Sequence, residues 1–355
     1  MKILQLCAYA APYRGNFLKS LSALDSVLLN QGHQTIYAFP ETAEQIPWCR
    51  ELALEREVFF LPLAKARIRP ETCSKLRRIY RKHPDIRIVH SHFELYDLPA
   101  EFSFPEHVKQ FRHLHDAIGF RNKGKKKWIN RLQYGIFHGS STLIPVSAQQ
   151  AAFAEALGFP EKQIRVIHNG VDPKSLVFCR IPPEKREFDF MIFGWDPVRK
   201  GTDLAIEAMR SLPVGTTLAV VGIDEIFLKK HFPITDGIKL IPPSNNVSEL
   251  YSRCRCFLHL SRAEGMSYAL LEAICCGLPV IASDIPENLF AKNFPTVSFV
   301  KNEDPESISG MMNRQLQAKG FPEPVLREAA ANIEKDYSLE KWVTEISGLY
   351  TEFSA

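Results

Sequence analysis

The sequence predicts an α/β chain of two units, each a parallel sheet covered by helices on both faces. Three observations predict it. Short apolar runs alternate with longer stretches of helical spacing along the whole chain. At 355 residues the chain exceeds one typical hydrophobic core. Turn signals gather midway, at His168-Asn169-Gly170-Val171-Asp172-Pro173 and then Pro182-Pro183.

In the first half the strand candidates are Ile3–Cys7, Thr35–Phe39, Val58–Leu61, Arg87–His90, Gln110–Leu114 and Leu143–Val146. Between them Phe17–Leu29, Glu71–Arg81, Trp128–Phe137 and Ala148–Leu157 carry helical spacing. The second half reads as strand Phe188–Phe193, helix Asp203–Ser211, strands Thr217–Val221 and Ile238–Ile241, and helix Ser248–Arg253. Strand Phe257–Leu260, helix Tyr268–Cys275, strand Val280–Ala282 and helix Glu306–Leu316 follow, and Tyr337–Phe353 is a last helix. Gly194 and Gly222 close two strands at carboxyl ends, where such sheets place ligands. The expected division is an N-terminal domain over 1–170, a C-terminal domain over 171–336 and the closing helix over 337–355.

Composition excludes several classes. Apolar content is 45% and charge 24%, ordinary for a globular protein. No stretch is long and apolar enough to span a bilayer, and the first residues read as a buried strand rather than a signal peptide. A cytoplasmic location is therefore expected. The cysteines at 7, 49, 73, 179, 254, 256, 275 and 276 lack zinc-type spacing and read as buried thiols. Residues 1–170 hold 24 Lys+Arg and 15 Asp+Glu, a balance of +9, and the remainder 20 and 25, or −5. A basic half suggests an anionic partner. Arg121-Asn122-Lys123-Gly124-Lys125-Lys126-Lys127-Trp128 runs into apolar residues, a pattern suited to the anionic inner face of the plasma membrane or to a solvated helix face. No nucleic-acid motif accompanies the charge.

The stretch Ser261-Arg262-Ala263-Glu264-Gly265-Met266-Ser267-Tyr268-Ala269-Leu270-Leu271-Glu272-Ala273 carries the most chemistry. Glu264 follows a strand and lies in a loop, while Glu272 lies inside the helix that follows. A helix start with free N–H groups between two acids suits a diphosphate flanked by hydroxylated groups, the layout of a sugar nucleotide. No Asp-x-Asp occurs in the chain, so no dedicated magnesium site of that type is read.

These residues resemble the family 4 (group 1) retaining glycosyltransferases of GT-B fold. The resemblance rests on the spaced glutamates and three further stretches in the family's order. These are His168-Asn169-Gly170-Val171-Asp172, Phe193-Gly194-Trp195-Asp196-Pro197-Val198-Arg199-Lys200-Gly201-Thr202-Asp203, and Ala273-Ile274-Cys275-Cys276-Gly277-Leu278-Pro279-Val280-Ile281-Ala282-Ser283. It implies two Rossmann-like domains facing an interdomain cleft, the first for the acceptor and the second for the donor, with the C-terminal helix crossing back to the first. By the same resemblance Glu264 and His115 are catalytic. Glu264 would touch hydroxyls of the transferred sugar, and His115 would lie over that sugar. Gly265, Met266 and Ser267 would face the distal phosphate, Lys200 and Arg199 the diphosphate, Glu272 the ribose, and Gly222 and Val247 the base. Gly15 would let the backbone approach the donor.

Two departures stand out. The family carries an arginine directly after the glycine equivalent to Gly194, and here that position is Trp195, with Arg199 as the candidate replacement. The amino-terminal glycine-rich loop is reduced to Arg14-Gly15-Asn16. The expected activity is a metal-independent retaining hexosyltransferase that needs no cofactor. It takes a UDP-sugar in preference to other sugar nucleotides and acts on a cell-surface glycan or glycolipid. Two other classes stay open. His90, His92, His113 and His115 form His-x-His pairs at strand ends, as in a metal-dependent hydrolase. Trp195 leaves room for a non-catalytic sugar-nucleotide-binding partner subunit.

Overall fold

The computed structural model describes residues 1–63, 69–115, 141–232, 236–244 and 246–353. The expected helix Trp128–Phe137 and the basic stretch Arg121–Trp128 lie outside them. The chain divides into two compact units, one of Met1–His168 with Leu339–Ala355 and one of Asn169–Ser338.

In the first unit the described strands are β1 (Lys2–Cys7), β2 (Gln34–Pro40), β3 (Val58–Leu61), β4 (Ile86–His92), β5 (Lys109–Leu114) and β6 (Ser141–Pro145). They form one parallel sheet in the order β3-β2-β1-β4-β5-β6. The described helices here are α1 (Gly15–Asn30), α2 (Pro47–Glu55), α3 (Pro70–Lys82), α4 (Asp97–Glu101) and α5 (Ala148–Ala156). The strands are buried nearly throughout because helices cover both faces, so β1, β2, β3 and β6 carry apolar runs, while β4 and β5 bury His90, Ser91, His92, Gln110, Arg112 and His113 as well.

The second unit repeats the plan. Its strands are β7 (Phe188–Phe193), β8 (Leu218–Val221), β9 (Ile238–Ile241), β10 (Cys254–His259), β11 (Val280–Ser283) and β12 (Val297–Val300), parallel in the order β12-β11-β10-β7-β8-β9. The helices are α6 (Thr202–Met209), α7 (Glu225–His231), α8 (Val247–Ser252), α9 (Tyr268–Cys275), α10 (Pro305–Gln317) and α11 (Glu323–Asp336). In each sheet the first strand lies centrally and the chain then builds outward in both directions. The order therefore reverses between β1 and β4, and between β7 and β10. Loops leaving the carboxyl ends of those pairs diverge and open a crevice, where sheets of this kind bind ligands.

The last helix, α12 (Leu339–Glu352), belongs to the first unit. Its apolar stripe, Trp342, Val343, Ile346, Leu349 and Tyr350, has helical spacing and is buried with Leu24 and Leu28 of α1 and Phe111 of β5. Each such side chain contributes about 2 kcal/mol on burial, so the helix is held by packing rather than by its intrinsic propensity.

Candidate functional site

In the second unit the loops that follow β7 and β10 meet at the reversal point. Gly194 ends β7, and a Cβ there would lie 2.8 Å from Val220 Cγ1, so packing alone demands glycine. Gly201 has φ +74, and a Cβ there would come within 2.1 Å of the Leu260 carbonyl oxygen. Glycine at 201 thus lets the loop of residues 194–201 lie directly on the chain leaving β10. Arg262 fastens the contact. Its guanidinium donates a fork of bonds to Asp203, at 2.8 and 2.7 Å, and another to the Val198 carbonyl. Its backbone N–H donates to the Arg199 carbonyl at 2.8 Å.

Glu264 is the centre of this arrangement and is 6% exposed. Its Oε1 accepts from Lys200 Nζ and from Ser261 Oγ, both at 2.6 Å. Its Oε2 lies 3.6 Å from Arg199 Nη1, and His259 Nε2 stands 4.0 Å from Oε1. Burial, the largest single influence, pushes the carboxyl pKa up. Lys200, His259 and Arg199 together outweigh it and hold the value down at about 2. The carboxylate is therefore ionised throughout the neutral range and serves as an acceptor, not as a proton donor. Burial and the nearby cations push His259 down to about 4 against the pull of Glu264, so that ring is neutral at pH 7.

Helix α9 begins just after Glu264. Ser267 caps it by accepting from the Leu270 N–H at 3.3 Å. Asn169 donates through Nδ2 to the Met266 carbonyl at 2.9 Å and so fixes the approach of Gly265, Met266 and Ser267 to the helix start. Glu272 is 5% exposed within α9, and Tyr251 Oη stands 3.1 Å from its Oε2 and 3.0 Å from the Ala269 carbonyl.

The structure thus brings Arg199, Lys200, Glu264, Gly265, Met266 and Ser267 to one place, with Glu272 inside the adjoining helix. Gly222 sits one strand away, closing β8 at φ +78, and Val247 opens α8 beyond β9. Sequence reasoning missed His259, Ser261, Tyr251 and the grip of Asn169. Ser261, three residues before Glu264 in the same loop, was open to detection. Nothing marks His259 in a buried strand.

Gly15 and His115 belong to the first unit. Gly15 begins α1 at φ +58, with the Tyr9 hydroxyl 2.9 Å from where a Cβ would sit. His115 follows β5, and burial pushes its ring down to about 3. It stacks on His113 at 4.0 Å, meets Phe17 edge-on and lies tilted against Phe93. His90, His92 and His113 are fully buried, and their ligand atoms lie within 4.8 Å of one another. Their rings nevertheless stack. The planes of His90 and His113 differ by 4°, and those of His90 and His92 by 28° at 4.2 Å. A metal lies in the plane of each imidazole it binds, about 2.0–2.1 Å from nitrogen. Near-parallel rings point their lone pairs side by side instead of at one point. The partners are His92 Nδ1 with His115 Nε2 at 3.0 Å, His92 Nε2 with Gln5 Oε1 at 2.9 Å, and His90 with the Tyr350 hydroxyl of α12. All eight cysteines are free thiols and buried.

Among the described residues no helix is long and apolar enough to cross a membrane.

Residues 23–175 match the family model of Glycosyltransferase Family 4, and residues 182–334 that of Glycosyl transferases group 1. The lipopolysaccharide glucosyltransferase WaaG of Escherichia coli is 36% identical over 100 residues, covering 26% of this chain and 27% of that protein. The amylovoran biosynthesis glycosyltransferase AmsK of Erwinia amylovora is 24% identical over 222 residues, covering 57% of this chain and 54% of its own. The chain thus spans about a quarter to a half of these curated relatives. Among solved structures, HepE of Anabaena in complex with UDP and glucose superposes at a TM-score of 0.79 with 14% identity, over 99% of this chain and 100% of that one. Sucrose-phosphate synthase from Thermosynechococcus elongatus gives 0.81 with 16% identity, over 99% and 98%. At these identities the likeness is one of fold, the GT-B fold of two Rossmann-like domains.

Proposed function

The chain belongs to the group 1 glycosyltransferases, and from that premise we propose that it moves a hexose-type sugar, with retention, from a UDP-sugar to a cell-surface glycan or glycolipid. The observation that carries this reading is the meeting of Lys200, Arg199 and Glu264 at the start of α9. The names of WaaG and AmsK support a glycan product, and the UDP and glucose held by HepE support a uridine donor.

On this reading Lys200, Arg199 and the free N–H groups at the start of α9 receive the diphosphate and stabilise its negative charge as the glycosidic bond breaks. Glu264, ionised and buried, accepts hydrogen bonds from hydroxyls of the transferred sugar. Glu272 accepts from the ribose, and Tyr251 holds its carboxylate in place. We favour front-face attack, with the leaving phosphate taking the acceptor's proton. A carboxylate already engaged by two cations and a hydroxyl is poorly placed to act as a nucleophile. Two cations and a helix start converging on one point support a reaction without a metal. His115 and Gly15 are assigned to the donor from the first unit by resemblance. The proposal locates the chain in the cytoplasm and gives any membrane contact to Arg121–Trp128.

The test is thermal stability with UDP, GDP, ADP, CMP and dTDP, each with and without EDTA. A ligand that binds only the folded state raises the melting temperature by mass action. A rise with one nucleoside diphosphate, unaffected by EDTA, is expected. No rise with any of them, together with destabilisation by EDTA alone, would overturn the reading in favour of a metal at the histidine cluster.

A further inference from the structure

Trp195 stands where the resemblance leads one to expect arginine, and it is 53% exposed at the mouth of the loop of residues 194–201. Its ring is not idle. Arg199 Cζ lies 4.7 Å from the ring centroid and Lys200 Nζ 4.9 Å. Consecutive side chains on an extended backbone point apart. Here the chain turns, with the Lys200 N–H donating to the Asp196 carbonyl and the Thr202 N–H to the Pro197 carbonyl, both at 2.8 Å. That turn brings both cations to the same indole and to the same carboxylate, Glu264. Arg199 is further tied to Asp196 by a 2.8 Å contact from its Nε.

We propose that Trp195 is a positioning residue that holds Arg199 and Lys200 aimed at the donor's diphosphate, a role that rests on the function proposed above. An aromatic face attracts a cation through its quadrupole and displaces part of its water shell. Glu264 and an incoming diphosphate compete for the same two cations, so Glu264 must share them when the donor binds. The indole carries no charge and need not move. It keeps the long side chains from dispersing into solvent at that moment and lowers the ordering cost of binding. An arginine at 195 would add charge; tryptophan instead directs charge placed four and five residues later.

The experiment compares Trp195→Ala, Trp195→Leu and Trp195→Phe with Lys200→Ala, measuring the Kd for UDP by calorimetry and kcat and KM for transfer. Trp195→Ala and Trp195→Leu are expected to weaken UDP about tenfold, equal to about 1.4 kcal/mol, with the loss in KM rather than kcat. Trp195→Phe, which keeps a ring face, should recover most of the affinity. Leucine keeps apolar bulk without a quadrupole, so a leucine variant that binds UDP like the wild type overturns the proposal, as does phenylalanine failing where alanine fails. If the Trp195 variants bind normally while Lys200→Ala does not, the positioning role falls and the donor site stands. If Lys200→Ala also binds normally, the donor site itself is misplaced. Circular dichroism of each variant separates lost binding from lost fold.

Discussion

Replacing Glu264 by glutamine tests the centre of the site with almost no change of shape. In the folded chain its carboxyl is held at about 2 against an ordinary 4.5. At about 1.4 kcal/mol per pH unit this corresponds to about 3 kcal/mol in favour of the ionised form. A depressed carboxylate pKa contributes stability that is present above the ordinary value and lost as pH falls toward 2; at pH 7, where His259 is neutral, the share due to Lys200 and Arg199 is in force. The side chain is 8% exposed, which leaves little room for solvent screening. Glutamine removes the charge, and Lys200, whose side chain is 12% exposed, loses its partner. The expected result is a loss of up to about 3 kcal/mol in the unfolding of the second unit, read by urea denaturation at pH 7.

UDP should then stabilise the glutamine variant more than the wild type, because the diphosphate supplies the charge that Lys200 and Arg199 have lost and no longer competes with Glu264. Transfer itself should be abolished, since an amide is a weaker acceptor for sugar hydroxyls than a carboxylate. Denaturation in urea with and without saturating UDP, beside a transfer assay, measures all three. A variant within about 0.5 kcal/mol of the wild type would refute the electrostatic argument. A variant stabilised less by UDP would refute the competition, and unchanged turnover would remove Glu264 from the site.

The other predictions concern separate parts of the chain. Glu272→Ala should weaken UDP binding by about 1.5–3 kcal/mol, the range for a charge-assisted hydrogen bond, and unaltered calorimetry would strike out the ribose role. Burial first, and neighbouring charge second, hold His90, His92 and His113 well below their ordinary pKa, and burial holds His115 at about 3. Below about pH 6.5 the unfolded chain therefore binds protons that the folded chain refuses, and stability falls as pH falls, at up to about 1.4 kcal/mol per pH unit for each ring. The protection factors of amides in α12, whose Tyr350 meets His90, should fall between pH 7 and 5 once the intrinsic exchange rate at each pH is divided out, and unchanged protection factors would show that the rings are not neutral. Replacing Lys125, Lys126 and Lys127 by glutamate should reduce sedimentation with anionic liposomes; binding that persists would leave that stretch a solvated face.

Much of the site was legible because its parts are contiguous in sequence. The spacing of Glu264 and Glu272, the helix start between them and the loop of residues 194–201 all follow from local pattern. The contact that matters most was not legible. Lys200 and Glu264 are 64 residues apart, and they meet only because β10 lies beside β7, a neighbour that no local pattern reveals. The elements that escaped notice have weak periodicity for physical reasons. Strand β12 is only four residues long, at the sheet edge, with two of its residues buried. Helix α11 buries only Ala329 and Ile333 among its described residues, and α2 only Trp48 and Cys49. So small a buried face leaves little apolar rhythm to read.

Net charge and the grip of the candidate site report different things. The balance of +9 over residues 1–170 against −5 beyond concerns what the first half attracts, while the candidate diphosphate contacts lie in the second. Pairing explains why those contacts leave no mark on the balance. Lys200 is matched by Glu264, Arg199 by Asp196 and Arg262 by Asp203, so each cation that shapes the site brings an acid with it. Taken out of water, an unpaired lysine would shed its proton or stay mobile. An acid keeps it charged and ordered until a diphosphate arrives. Such a site adds nothing to net charge however strongly it binds anions, whereas the unpaired lysines of a solvated surface add one each. Charge balance over half a chain therefore reports long-range attraction. The place where an anion is gripped has to be sought among paired, buried charges at the carboxyl ends of the strands.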